Sequence, residues 1–218
     1  MAINSNSRKL NLSAWLASSQ PNEFRANLKL QKFLFFYEIF SKIDGEEADF
    51  NYLRAYPNGP VFSSVYGDYI YHQLSFFPAV QSITAESVTG VNEERARLSG
   101  FLVKILTEQE LSDLTHELDA WKIHEPAIDR GEKNISISEE DFSQDDYLLL
   151  RTLKEMYPNE LIESSTVVSM MDKNFLISND DFGKLTEDQT KIFLNLTEQE
   201  IDNPVYVSLS EEGVMLID

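Results

Sequence analysis

The sequence contains no cysteine, few glycines and prolines, few basic side chains and no long apolar run. Without cysteine, disulfides, thiolate catalysis and cysteine-ligated zinc are excluded. Because no apolar stretch reaches the ~18 residues of a membrane helix and the first residues lack a signal-peptide core, we expect a cytoplasmic protein with no membrane contact. Only 8 Gly and 7 Pro occur in 218 residues, 42% of which are apolar, and this composition indicates a globular chain.

Basic residues are outnumbered by acidic ones, and the imbalance is confined to one half of the chain. The 18 Lys and Arg face 37 Asp and Glu, for a net charge of −19. Residues 1–100 hold 9 basic and 10 acidic side chains, whereas residues 101–218 hold 9 basic and 27 acidic ones. Such an acidic field repels phosphate. We therefore expect no direct binding of nucleic acid, and the charge favours a basic protein partner.

A strongly apolar stretch predicts the central helix of the protein. Residues 27–44 carry apolar side chains around most of the helix circumference, and Gly45 follows as a stop signal. A helix that is apolar nearly all round lies at the centre of its domain. Periodicity and capping residues predict further helices at 8–18, 60–75, 93–106, 107–118, 138–156, 159–171 and 186–196.

Extended segments are predicted to be few. Pro60 follows a turn and suits the first position of a helix. Residues 79–92 and 121–137 are expected to be loops, and alternation with a turn at Gly213 predicts a β-hairpin over residues 204–217. The expected fold class is mainly α: a compact helical domain around a hydrophobic central helix, with minor β including the C-terminal hairpin.

No arrangement of residues typical of an enzyme is found. His72, His116 and His124 form no HExxH or HxxxH pair, so no metal site is predicted. The tripeptide Asp181–Gly183 imitates a kinase metal motif, but the other kinase motifs are missing, as are GxGxxG, Walker A and GxSxG. We expect no catalytic residue, no metal and no cofactor, and hence a protein that acts by binding.

Three short motifs occur in order along the first 157 residues. The central helix contains Lys29–Phe36, with the text KLQKFLFF. Gly59-Pro60-Val61 is followed by Tyr66, and Leu111–His116 (LSDLTH) is followed by Trp121. Together they resemble the KLQKLLYF, GPV…Y and LS…(T/S)H…W elements of the Panacea domain, the antitoxin module of many bacterial and phage toxin–antitoxin pairs. The phenylalanines of the first motif and the position of Pro126 depart from the family pattern.

The resemblance implies a non-enzymatic, mostly helical antitoxin domain over residues 1–157. Such a domain neutralises a cognate toxin encoded beside it by direct protein–protein binding, and some members present the toxin to a protease. The resemblance does not extend to residues 158–218, whose own pattern predicts an acidic C-terminal extension of helices and a hairpin, packed on the first domain. The motif residues expected to bind the partner or support the fold are Lys29, Gln31, Lys32, Tyr56, Gly59, Pro60, Tyr66, His116 and Trp121.

Several alternatives stay open at this point. The acidity alone also fits a phage or mobile-element inhibitor of a host nucleic-acid-handling defence enzyme that acts as an acidic DNA mimic, and a third reading is an enzyme with Asp/Glu–His chemistry. Lys32 either faces a partner or is buried and paired, and His116 is expected to pack near Trp121. A cluster of tyrosines either packs around the turn or faces a partner: Tyr52, Tyr56, Tyr66, Tyr69 and Tyr71.

Overall fold

The computed structural model describes residues 3–84 and 87–217, of which helices make up the largest part. Helix accounts for 57% of the described residues and strand for 14%, so the fold is mixed but dominated by helices. From the first described residues to the third motif, the elements are α1 (Ser7–Ser19), α2 (Pro21–Arg25), α3 (Asn27–Ile43), β1 (Leu53–Tyr56), β2 (Gly59–Phe62), α4 (Ser63–Tyr71), α5 (Gln73–Gln81), α6 (Glu93–Ile105) and α7 (Glu108–His116).

The remaining elements alternate between short helices and strands. They are α8 (Asp119–Lys122), α9 (Glu125–Asp129), β3 (Ile135–Ser136), α10 (Gln144–Met156), α11 (Asn159–Ser164), β4 (Ser165–Met170), β5 (Lys173–Ser178), α12 (Asn179–Phe182), α13 (Glu187–Thr197), β6 (Val205–Leu209) and β7 (Met215–Ile217). No helix within the described ranges combines the length and the apolar character needed to cross a bilayer.

Helix α3 is the centre of the main core, as the sequence predicts. Every residue from Leu30 to Ser41 is buried, including the polar Gln31, Lys32 and Glu38. Helices α1, α6, α7 and α10 and strand β2 all pack against it. Because buried polar groups are costly unless they are bonded, each polar side chain of α3 needs a partner within the fold.

Glu38 meets this need with two cations from α1. Its carboxylate accepts hydrogen bonds from Arg8 Nε at 2.9 Å and from the buried Lys9 Nζ. It also accepts the backbone N–H of Asp49 at 2.9 Å. Burial of the ammonium group lowers the pKa of Lys9, and the charge of Glu38 opposes this shift. The cluster therefore ties α1 and the segment before β1 to α3.

The first sheet corrects the prediction for Pro60. Instead of opening a helix, Pro60 lies in β2 opposite Ala55 of β1, and α4 begins only at Ser63. The strand order is β2-β1-β3, so Pro60 occupies an edge strand. An edge position tolerates proline because its missing N–H breaks no ladder bond.

Two predicted loops contain short elements. The predicted loop 121–137 holds α9 and β3, and Trp121 itself lies in α8. In the predicted loop 79–92, α5 continues to Gln81, while residues 85 and 86 lie outside the described residues. The capping box at Ser138 closes a 3₁₀ turn, and α10 begins later under a second box that opens at Ser143.

The C-terminal part contains more strand than the sequence predicts. The predicted helix 159–171 is wrong beyond Ser164, where β4 begins and pairs antiparallel with the unpredicted β5. The predicted hairpin is confirmed, since β6 and β7 pair antiparallel, and β6 extends the sheet by pairing parallel with β5. The resulting order is β4-β5-β6-β7.

This second sheet carries its own small apolar cluster. Phe175 stacks on Phe193 with ring centroids 4.7 Å apart, separate from the core around α3. The two parts are joined by hydrogen bonds, because Asn174 Nδ2 and Asn203 Nδ2 both donate to the carbonyl of Ile105 at 2.9 Å. The division of the chain at residue 157 stays a prediction.

Candidate functional site

The three sequence motifs meet around the amine of Lys32. Its side chain is 1% exposed, and Nζ donates to the carbonyl of Asn58 and to Oγ1 of Thr115, both at 2.6 Å. Asn58 lies in the turn between β1 and β2, and Thr115 lies in the last turn of α7. Of the two alternatives for Lys32, the structure therefore supports burial with partners inside the chain.

Lys32 is a buried cation without an acidic partner. None of the salt bridges in residues 3–84 and 87–217 includes it. Burial lowers its pKa to about 7, well below the ordinary 10.5 of lysine. The amine thus loses much of its charge near neutral pH while its N–H groups keep their two acceptors.

Gly59 allows this contact to form. Its backbone has φ +96°, a left-handed conformation that favours glycine, and a Cβ here would collide with Lys32 Nζ and Thr115 Oγ1. The glycine of the second motif is therefore required by the lysine of the first and the threonine of the third. Pro60 follows it in β2 and is also buried.

His116 and Trp121 complete the junction. Their rings stack with centroids 3.8 Å apart, which confirms the predicted packing. Trp121 Nε1 donates to the carbonyl of Tyr56 at 2.9 Å. Burial lowers the pKa of His116, and the nearby charge of Lys32 lowers it further. We call Lys32, Gly59, Thr115, His116 and Trp121 the motif junction.

The other two polar residues of the first motif lie on either side of this junction. Gln31 is buried, and its Oε1 accepts the backbone N–H of Phe62 at 2.9 Å, which satisfies a donor of β2 that the sheet leaves unpaired. Lys29 lies outside the junction beside a cavity of about 720 Å³ that also borders Lys104 and Glu108. Burial lowers the pKa of Lys29, against the opposing charge of Glu23.

Of the five tyrosines in the predicted cluster, Tyr52 is exposed, Tyr69 lies in the core and the other three line an open groove. Tyr69 is buried and donates to the carbonyl of Arg25 at 2.5 Å, whereas Tyr56, Tyr66 and Tyr71 line a cavity of about 620 Å³. The rings of Tyr56 and Tyr66 lie 5.3 Å apart with a tilt of 52°. Burial raises the pKa of the Tyr56 hydroxyl, with smaller effects from Tyr66 and Tyr71. We call this cavity the tyrosine groove.

The opposite wall of the tyrosine groove comes from residues that the sequence analysis did not select. Ile128 at the end of α9 and the segment 131–134 face the tyrosines across the cavity. Thr115 and Asn58 were also not selected as site residues, although both lie inside quoted motifs or turns. Packing of α3 and α7 against β2 and against each other brings Asn58 and Thr115 to Lys32, and packing of α9 against β1 forms the groove wall. Local periodicity carries no signal for such long-range contacts.

The site combines a hydrogen-bonded polar junction with an open aromatic groove. No group of three or more His, Asp and Glu side chains among the described residues is placed to hold a metal ion. The amine of Lys32 is enclosed, so it supports the turn from behind and presents no nucleophile to solvent. No family model, curated protein or solved structure matches this chain.

Proposed function

We propose that this protein is an antitoxin of the Panacea type, which neutralises a toxin by direct protein–protein contact and has no catalytic role. One observation carries the proposal: the three motifs that resemble the family meet at a single junction. Lys32, Gly59 and Thr115 come from three separate motifs: Lys32 donates to Thr115, and the missing side chain of Gly59 leaves the space in which they meet. A chance set of short matches has no reason to converge in space.

The surface around the junction supports a binding role. The tyrosine groove presents three tyrosine side chains, of which Tyr71 is 75% exposed, and tyrosine is enriched at protein interfaces. Its backbone support comes from buried hydrogen bonds, so the surface is organised before a partner arrives. Preorganisation reduces the entropy lost on binding and favours tight association.

Co-expression tests the proposal directly. The reading frame beside the gene is expressed from an inducible promoter, with and without this protein, and growth is followed. We expect the neighbouring product to arrest growth alone and the pair to grow and copurify. A neighbouring product that is harmless, or that remains toxic in the presence of this protein, contradicts the proposal.

A second candidate is favoured by the charge of residues 101–218, which hold 27 acidic and 9 basic side chains. Carboxylates spread over one face compete with DNA phosphates for a basic channel. In this case the protein would inhibit a host nucleic-acid-handling enzyme, and added duplex DNA would displace it from that enzyme. Binding that is unaffected by competing DNA separates the antitoxin from the DNA mimic.

A further inference from the structure

The tyrosine groove is an open cleft at one end of the first sheet. The end of β1 supplies Tyr56, α4 supplies Tyr66 and Tyr71, and the opposite wall is formed by Ile128 and residues 131–134. A volume of about 620 Å³ is sufficient for two or three side chains of a bound segment. Residues 131–134 of its wall are exposed, so the groove is accessible from solvent.

Apolar surface continues out of the groove across the junction of α4 and α5. Tyr71 is 75% exposed, Ile70 is 37% exposed and Leu74, at the start of α5, is 96% exposed. A single exposed leucine is ordinary, but adjoining exposed apolar side chains next to a groove mark an interaction surface. A partner that covers these side chains gains the free energy of burying apolar surface.

The charge beside the groove has one predominant sign. Residues 107–133, which form α7 to α9 and the start of the groove wall, contain 8 acidic and 3 basic side chains. Two of the three cations are used internally, because Lys122 pairs with Glu117 at 2.8 Å and Arg130 pairs with Glu132 at 2.7 Å. The third, Lys133, lines the groove and has no salt bridge among the described residues. Glu125 and Asp129 of α9 have no salt bridge among the described residues.

Two buried side chains fix the backbone that carries Tyr56 in the tyrosine groove. Trp121 fixes the backbone carbonyl of Tyr56, and Lys32 fixes that of Asn58 two residues later. Tyrosine faces attract the guanidinium of arginine or the ammonium of lysine, and such contacts strengthen where water is excluded. Fixed rings beside unpaired carboxylates therefore suit a basic side chain that carries an apolar stem.

We propose that the tyrosine groove binds a short basic segment of the partner protein, in which arginine or lysine alternates with apolar residues. The cationic groups lie against the faces of Tyr56, Tyr66 and Tyr71 and towards α9, and the apolar side chains cover Tyr71 and Leu74. This inference rests on the proposed function for the identity of the partner. It assigns the segment to the surface of the toxin.

Gly67 provides a way to block the groove without disturbing the fold. It lies in α4 on the groove wall, and a Cβ at this position meets no atom within 4 Å. Leucine is a better helix former than glycine, so Gly67→Leu fills the groove while preserving α4. Thr152→Leu adds the same side chain to an exposed position of α10 and is the matched control.

A peptide assay tests the groove without any toxin. The probe is a fluorescent eight-residue peptide that alternates arginine with leucine, and its counterpart has glutamate in place of arginine. We expect the full-length protein to bind the arginine peptide and to reject the glutamate peptide. We expect Gly67→Leu and Tyr71→Ala each to lower the affinity for the arginine peptide by about tenfold, which corresponds to the binding energy of about one aromatic contact.

The controls decide the outcome. Thr152→Leu and Leu148→Ala, both on the exposed face of α10, are expected to bind the arginine peptide as the wild type does, and circular dichroism verifies the fold of every variant. Equal binding of both peptides, no binding of the arginine peptide, or undiminished binding by a folded Gly67→Leu variant overturns the proposal. Direct binding of fluorescent duplex DNA to the protein that is lost in Gly67→Leu also overturns it, because the groove would then accept phosphate.

Rescue of growth in cells that express the toxin distinguishes failure of the groove proposal from failure of the proposed function. If the wild type restores growth and Gly67→Leu restores it equally well, the antitoxin role stands and the groove proposal fails. If the wild type does not restore growth, the proposed function fails whatever the peptide assay shows. The expected result is rescue by the wild type and Thr152→Leu, with loss of rescue by Gly67→Leu.

Discussion

The amine of Lys32 lies 2.6 Å from Oγ1 of Thr115, across 83 residues of sequence. This hydrogen bond joins the central helix α3 to α7, and the second acceptor of the amine is the backbone of the turn between β1 and β2. A buried lysine with two neutral acceptors and no carboxylate is a costly feature. Its retention in the core indicates that the position of the turn matters.

Removing the amine should change how stability depends on pH. Burial lowers the pKa of Lys32 to about 7 in the folded protein, against 10.5 for ordinary lysine. Between these values the unfolded chain binds more protons than the folded chain, so this group makes wild-type stability rise with pH from about 7 towards 10.5. Lys32→Met carries no titrating amine and lacks this contribution.

Urea unfolding of both proteins from about pH 6.5 to about pH 9.5 measures the effect. We expect the wild type to gain about 1 kcal/mol per pH unit relative to Lys32→Met within this window. His116 interferes little, because burial and Lys32 both lower its pKa below the ordinary 6.5. A free-energy difference between the two proteins that is independent of pH would show that Lys32 keeps its charge when buried.

Gly59→Ala should be one of the most damaging small substitutions in the protein. The positive φ is strained for alanine, and the new methyl group collides with Lys32 and Thr115. We expect a loss of at least about 3 kcal/mol in unfolding free energy. Gly45→Ala is the matched control, since Gly45 has φ +73° but open space around it, and should lose only about 1 kcal/mol. Equal losses of unfolding free energy in both variants would show that the collision with Lys32 and Thr115 does not contribute.

Glu38→Gln should destabilise the central helix through the cations that it leaves behind. Glu38 is fully buried and holds Arg8 and the 1% exposed Lys9. Breaking a buried ion pair from one side costs about 3 kcal/mol or more, because the remaining charge is left uncompensated. Thermal and urea unfolding measure the change, and Glu94→Gln, at an exposed position of α6, should stay within about 0.5 kcal/mol of the wild type. A small effect at Glu38 would mean that Asp49 compensates Lys9 alone.

The core could be predicted from the sequence to the extent that its signal is local. The apolar run of α3 and the capping box at Thr107 both predict the helices that form. The hairpin of β6 and β7 follows from its alternation and its turn. Each of these signals lies within the element itself.

The sequence predictions are wrong where contacts with residues distant in sequence determine the structure. Thr166 to Val168 continue a helical pattern, yet they form a strand because β5 provides a pairing edge. Pro60 fits a helix start equally well in isolation, and pairing with β1 places it in a strand. The contact of Lys32 with Thr115 could not be predicted, because a buried lysine signals only that a partner exists and not which residue it is.

The uneven charge of the chain should affect how fast a partner is bound. Residues 101–218 carry nearly all of the net −19, and α9, which contributes Ile128 to the tyrosine groove, also carries Glu125 and Asp129. Association with a basic partner should therefore slow as ionic strength rises, and the double substitution Glu125→Gln with Asp129→Asn should reduce that slope. Stopped-flow mixing at several salt concentrations measures the rates. A rate that does not change with salt assigns the acidity to solubility rather than to recognition.

The most direct test of the account is a titration of the purified toxin with this protein. A binding antitoxin acts stoichiometrically, so residual toxin activity should fall in proportion to added protein and reach zero near equimolar amounts, with a stable complex recovered by gel filtration. Full inactivation by a small fraction of an equivalent would indicate catalysis on the toxin. That result, or toxin activity that persists at excess protein, would contradict neutralisation by direct contact.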